Sequence, residues 1–189
     1  MKKIQKGQYG YLKYQRKIVT LRTVGLFAIA FAILIVGLCT TGTKSNAMTV
    51  VAILGMLPAS KSAVNMIMFF RFKDSSPKLH ERSMAIVHDL PMQYDLVFTM
   101  PDKSYQIQQL ACNANTICGY RDGDAQSLQK LQEHIKVMLE KDSLKNVEVK
   151  LWNDYGQFEK RLQQMQDKYA PAEDSQSNQI LSLLLAISL

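Results

Sequence analysis

Apolar residues are unevenly spread along this chain. Thr23 to Thr43 carries no charge and reads TVGLFAIAFAILIVGLCTTGT, which at about 1.5 Å per residue is long enough to cross roughly 30 Å of hydrocarbon as one helix. A second apolar stretch, Ala47 to Phe70, follows a short turn-prone piece, TGTKSN at 41–46. The pair predicts a transmembrane helical hairpin, about 23–42 and 47–70, within a membrane domain of residues 23–72. A cleaved signal peptide is the rival for the first stretch, because basic residues precede it and SNA at 45–47 resembles a cleavage site. The 22-residue lead and the second apolar stretch argue against cleavage.

Beyond residue 73 the pattern shortens and alternates. Ser76 and Pro77 suit an N-cap and a first helical position, and Pro91 closes a helix over roughly 77–89. YDLVFTM at 94–100, YQIQQLAC at 105–112 and TICGY at 116–120, separated by the PDKS and NANT turns, read as three strands of a meander. Leu128, Leu131, Ile135 and Met138 repeat at helical spacing after Asp124; NVEVKLW at 146–152 is a fourth strand. Asp154 then caps a helix with Tyr155, Phe158, Leu162, Met165 and Tyr169 on one face. PAEDSQSN is a linker, and QILSLLLAISL at the C-terminus is too short to cross a bilayer and is expected to pack on the domain. Residues 73–189 thus predict a small cytoplasmic α/β domain of order α-β-β-β-α-β-α with an apolar C-terminal segment.

Charge supplies the orientation. All seven charged residues before position 23 are basic, and all sixteen acidic residues lie between Asp74 and Asp174. From position 71 onward fourteen of the twenty-three Lys and Arg remain, once Lys44, Lys61 and the first seven are set aside, against those sixteen acids. The net charge of +7 therefore belongs to the membrane-proximal end. A nucleic-acid binder would carry its excess on the folded domain, so the charge argues against that class. Cations crowd before the first helix and after the second, at Arg71, Lys73, Lys78 and Arg82, while the connecting loop has only Lys44. The positive-inside bias then places both termini in the cytoplasm.

Residues 1–22 form a basic juxtamembrane segment in which Tyr9, Tyr11 and Tyr14 alternate with cations. Rings at headgroup depth and charges on anionic lipid suit this pattern, and Lys2, Lys3, Lys6, Arg16, Lys17, Arg22, Arg71 and Lys73 join the three tyrosines as an expected lipid-interface set. RNA binding by the same composition is the competing use.

Lys61 interrupts the second apolar stretch. If one helix runs through to Phe70, Lys61 sits about 15 Å from Arg71, near the bilayer midplane. A lysine there costs about 2.5–3.5 kcal/mol. Gly55, Ala59 and Ala63 recur every fourth residue and predict a close-packing face toward the first helix. Lys61 and Asn65 share another face, which would want a polar partner in a second copy or in another membrane protein. In the competing reading the crossing ends near Ser60 with Pro58 breaking the helix, and Lys61 snorkels to headgroups.

TTGTK at 40–44 followed by VAILGMLPASK at 51–61 resembles uncharacterised two-helix membrane proteins of Gram-positive bacteria, which implies a multi-pass protein of the bacterial cytoplasmic, or inner, membrane. Some of that group are described as O-linked GlcNAc transferase-like; this chain has no sugar-nucleotide motif and no tetratricopeptide period. The element order of residues 77–170 also resembles the restriction-endonuclease-like core of PD-(D/E)xK nucleases. That resemblance implies a metal held by an Asp and an E-x-K triplet on neighbouring strands. The one E-x-K here is Glu148-Val149-Lys150, on the strand after the second helix of that core, with Asp95 opening the first strand. The strands where the motif belongs contain no carboxylate.

Other chemistry is sparse. His80 and His88 are eight apart, and His134 borders an apolar stripe, so none forms a metal-like i, i+4 pair. Cys39, Cys112 and Cys118 include no C-x-x-C; the last two flank the NANT turn and, facing each other with a histidine, would hold zinc or make a Cys-His pair. GYRDGD lacks the Lys-Ser/Thr of a phosphate loop. No cofactor, metal or catalytic residue is expected. The reading is a membrane-anchored binding, scaffolding or regulatory domain, with a membrane-tethered enzyme on a nuclease-like or transferase-like core as the alternative.

Overall fold

A computed structural model describes residues 4–42, 47–144, 146–169 and 175–189. The chain divides into two compact units, residues 12–73 and residues 1–11 with 74–189.

The first unit is a pair of long antiparallel helices, α1 (Tyr11–Thr41) and α2 (Ala47–Phe70). Both are long and apolar enough to cross a membrane. α1 begins twelve residues before the charge-free run, since the basic stretch is rich in Lys, Arg, Leu and Gln, all good helix formers. The helix is therefore continuous through the change from basic to charge-free sequence at residue 22, and residues up to Tyr11 group with the α/β unit. α2 runs unbroken through Pro58. A proline forfeits one i→i−4 bond, and close packing at Ala59, fully buried, holds the helix there.

The helices meet at a constant antiparallel register. Arg16 donates to the carbonyl oxygens of Phe69 (3.2 Å) and Phe72 (2.8 Å). Thr23 Oγ1 lies 2.8 Å from Ser62 Oγ, and a Cβ at Gly55 would stand 3.9 Å from that of Ala30. The seam on α1 follows sevenfold spacing through Arg16, Thr23, Ala30 and Gly37; on α2 it alternates threes and fours through Ala52, Gly55, Ala59 and Ser62. Small and hydroxylated residues face inward. The large apolar ones face outward: Leu21, Val24, Ile29, Leu54, Leu57 and Val64 are all at least 59% exposed.

In the second unit a four-stranded mixed sheet carries helices on both faces. β1 (Met92–Thr99), β2 (Ser104–Asn113) and β3 (Thr116–Tyr120) form an antiparallel meander, and β4 (Glu148–Trp152) lies parallel to β3. The order across the sheet is β1-β2-β3-β4. α3 (Pro77–Ile86) precedes β1, α4 (Ala125–Lys141) makes the crossover from β3 to β4, and α5 (Tyr155–Asp167) and α6 (Ser175–Ile187) follow. Asp124 and Asp154 cap α4 and α5, accepting 3.0 Å bonds from Ser127 N and Gly156 N. α3 stops at Ile86, short of the expected 89, because Val87 turns extended and is buried with Leu90, Phe158, Leu162 and Met165.

Leu128, Leu131, Ile135 and Leu139 of α4 pack on the opposite face with Ile180, Leu181 and Leu184 of α6. The apolar C-terminal segment thus completes a core. Gly119 on β3 lies close against that core, where an added Cβ would stand 2.6 Å from Leu151 Cδ2 and oblige that side chain to shift.

β1 is an edge strand, and both chain ends cover it. Tyr94 N donates to Gly7 O (2.7 Å) and Leu189 N to Val97 O (2.8 Å). Such caps remove the open ladder an edge would offer to other chains.

Candidate functional site

Thr23 opposite Ser62 sets Lys61 level with the first turn of the uncharged run, next to Arg22. Val19, Arg22, Pro58, Lys61, Ser62 and Asn65 line one groove of about 300 Å³. Lys61, Asn65 and Arg22 are exposed there, and residues 12–73 contain no Asp or Glu to neutralise the two cations. The expected pairing of Lys61 and Asn65 on one face is thus joined by Arg22 from the other helix. The register sets Lys61 opposite the start of α1's charge-free run rather than opposite its middle.

A second, wider groove of about 510 Å³ lies between Lys13, Arg16, Lys17, Thr20, Leu21, Val24 and Phe70. Of the small residues, Gly55 and Ala59 lie on the seam, whereas Ala63 is half-buried beside it and Ser62 takes the inward position.

Among the lipid-interface set, Lys17, Arg22, Arg71 and Lys73 are exposed, Tyr11, Tyr14 and Arg16 are half-buried, and Lys2 and Lys3 lie outside the described residues. Lys6 and Tyr9 are engaged elsewhere. Lys6 Nζ donates to Leu185 O (2.7 Å), in the last turn of α6, and to Ser188 O (2.6 Å), just past it; burial pushes its pKa down. Tyr9 stacks on His80 with ring centroids 3.9 Å apart and meets Tyr94 edge-on at 5.9 Å. Burial, and then the charge of Asp95, push the Tyr9 phenol up, while burial pushes the His80 imidazole down. His80 Nδ1 is buried with no partner among the described residues.

The carboxylates of the nuclease-like constellation are separated. Asp95 is on β1 and Glu148 and Lys150 are on β4, the two outer strands of the sheet. At roughly 4.8 Å per strand spacing they stand about 14 Å apart or more. Cys112 packs with the α4/α6 core and Cys118 with the α3/α5 core, so their thiols point through opposite faces and share no ligand. Burial drives the Cys118 thiol upward, the reverse of a nucleophile. No group of three His, Cys, Asp or Glu close enough for a metal occurs among the described residues.

Asp95 instead anchors a backbone irregularity. Its φ is +55°, and the sheet changes face there: Met92 and Tyr94 point toward α3 and α5, Leu96 and Phe98 toward α4 and α6. β2 switches opposite it, between Ile107 and Gln109. Asp95 Oδ1 accepts from Ser75 N (3.1 Å), Ser75 Oγ (2.6 Å) and Gln106 Nε2 (3.0 Å). Burial lifts its carboxyl to about 6, against the pull of those bonds. Sequence offers one signal for this, an aspartate inside an apolar strand, since Asp and Asn tolerate positive φ better than most residues.

Comparison of the chain with protein-family models, curated proteins and solved structures gives no match.

Proposed function

We propose that this is a membrane-anchored protein in which the α1–α2 hairpin crosses the bilayer and holds a binding or scaffolding α/β domain at the cytoplasmic surface. One observation carries the reading. The helical pair is inside-out for water, with Thr23, Ser62, Ala59 and Gly55 turned in and leucines, isoleucines and valines turned out. Hydrocarbon reverses the usual preference, because close contact of small residues and buried hydroxyl bonds then drive helix association. Thr23–Thr41 spans about 28 Å at 1.5 Å per residue, close to the hydrocarbon thickness. On this reading Arg22 and Lys61 lie together at the cytoplasmic edge, where their charges reach headgroups. Val64, Ile67 and Phe70 continue the apolar outer face into the interfacial layer.

The distance between Asp95 and Glu148 and the opposed cysteines leave the nuclease-like and cysteine-based alternatives without an assembled site, which supports reading the domain as a binding one. Carbonate-washed membranes and two reporter fusions test the proposal. The protein should stay in the washed membrane; a reporter at Ser45 should be active only outside the cytoplasm, and one after Leu189 only inside. Release by carbonate, or the reverse reporter pattern, overturns it.

A further inference from the structure

The groove that Arg22 and Lys61 share is more specific than a basic surface. Two cations from different helices and the amide of Asn65 line the same 300 Å³, and residues 12–73 supply no carboxylate. A guanidinium fork matches two oxygens of a phosphate, a lysine adds a mobile point charge, and an amide adds a neutral donor. Val19 and Pro58 give the groove an apolar wall. The Thr23–Ser62 bond fixes the register of the two helices beside it, which brings Arg22 and Lys61 to the same groove.

We propose that the groove between Arg22, Lys61 and Asn65 is a binding site for the phosphodiester headgroup of an anionic phospholipid. The inference rests on the membrane reading of the hairpin, which puts these residues at the boundary between acyl chains and headgroups. With two cations and no acid, the groove favours a headgroup carrying net negative charge over one whose ammonium cancels its phosphate. The wider groove of Lys13 and Lys17 is the built-in comparison, because its cations border a more apolar and more open surface. They add general attraction to an anionic leaflet, and Arg22 with Lys61 adds a counted site.

The test uses the full chain, delipidated in detergent and titrated with phosphatidylglycerol, phosphatidylcholine or inorganic phosphate under native mass spectrometry. The wild type should retain one phosphatidylglycerol in preference to phosphatidylcholine. The double variant Arg22→Gln, Lys61→Gln should weaken that adduct roughly thirtyfold, two cations being worth about 1 kcal/mol each at 1.4 kcal/mol per tenfold. Lys13→Gln with Lys17→Gln should leave it in place, and Lys61→Arg should keep it, which separates loss of charge from loss of folding. An adduct unchanged in the double variant, or equal retention of both lipids, overturns the site. Retention of inorganic phosphate in place of phosphatidylglycerol would show phosphate chemistry without a lipid source and overturn the lipid assignment. A wild type found outside the membrane fails the functional reading; a membrane-resident wild type without the adduct fails this inference alone.

Discussion

The hydroxyl of Ser75 lies 2.6 Å from Oδ1 of Asp95, and the same hydroxyl is 2.8 Å from the carbonyl oxygen of Gln108 on the next strand. Ser75 therefore pins both strands where each changes face. Asp95 is 3% exposed, with Oδ2 unpartnered among the described residues. The site is held by geometry and charged at a cost.

That cost gives a pH prediction. Burial raises the Asp95 carboxyl to about 6 from 3.8, with Asp74 adding repulsion and Ser75 and Gln106 opposing the rise. The folded state therefore holds the proton more tightly than the unfolded one. Stability from this group is fully present below the unfolded value and is lost as pH rises through about 6, a change of roughly 3 kcal/mol at 1.36 kcal/mol per unit. Asp95→Asn keeps an acceptor for Ser75 and tolerates positive φ, so it should equal or exceed the wild type at pH 8 and flatten the dependence between pH 4 and 6.5. Urea unfolding of the detergent-solubilised chain, followed by Trp152 fluorescence, measures both; an unchanged slope would remove Asp95 from the account.

Lys6 predicts a second effect, on the C-terminal helix. Its ammonium satisfies two carbonyls at the end of α6, where a cation also meets the negative end of the helix. Lys6→Met should cost about 1–2 kcal/mol, the worth of charged hydrogen bonds in a half-exposed place. Hydrogen exchange should quicken over residues 180–188 and not in α4. Equal exchange in both proteins would mean that the bonds contribute nothing.

Much of this was legible from the chain and some was not, for physical reasons. Long charge-free runs carry their own length argument, so the two helices could be read directly, as could an α/β region with a three-strand meander and a fourth strand; the parallel pairing of that fourth strand with β3 depends on a crossover that leaves no local pattern. Apolar repeats at Leu128, Leu131 and Ile135 faced the core because 3.6 residues per turn allow little else. The start of α1 at Tyr11 leaves no charge signal, because charge marks solubility and not helix ends: Lys13, Arg16 and Lys17 are all good helix formers. Ala63 was assigned to the packing face by fourfold spacing, whereas the seam alternates threes and fours and selects Ser62. The Arg22–Lys61 groove depends on inter-helix register, and the Tyr9–His80 stack on a contact between residues 71 positions apart; neither leaves a local pattern. Pro58 shows the opposite failure, in which a local rule for breaking a helix yields to packing at Ala59.

Gly119 tests the domain core. A Cβ there would stand 2.6 Å from Leu151 Cδ2, which must shift, and 3.4 Å from Ile107 Cγ2 on the other neighbouring strand. Gly119→Ala should destabilise by about 1–3 kcal/mol, the usual penalty for overpacking. The midpoint of the Trp152 transition, on the strand beside Gly119, reads this directly. A midpoint equal to the wild type would mean that Leu151 repacks freely.

The seam of the hairpin gives the sharpest contrast, because two nearly identical substitutions should diverge. Ala59 is fully buried between the helices, while Ala63, one turn on, is half-buried at the margin. Ala59→Leu forces an isobutyl group into a contact built from small residues, and with no hydrophobic drive between helices in lipid the pair has little else to hold it. Ala63→Leu turns its added bulk outward. A Thr23→Cys, Ser62→Cys pair in a Cys39→Ser background replaces two hydroxyls 2.8 Å apart and should form a disulfide in membranes under mild oxidation. That crosslink should persist with Ala63→Leu and be lost with Ala59→Leu. Loss in both would favour the fourfold stripe over the alternating seam, and persistence in both would mean that the helices are held together by the loop rather than by their contact.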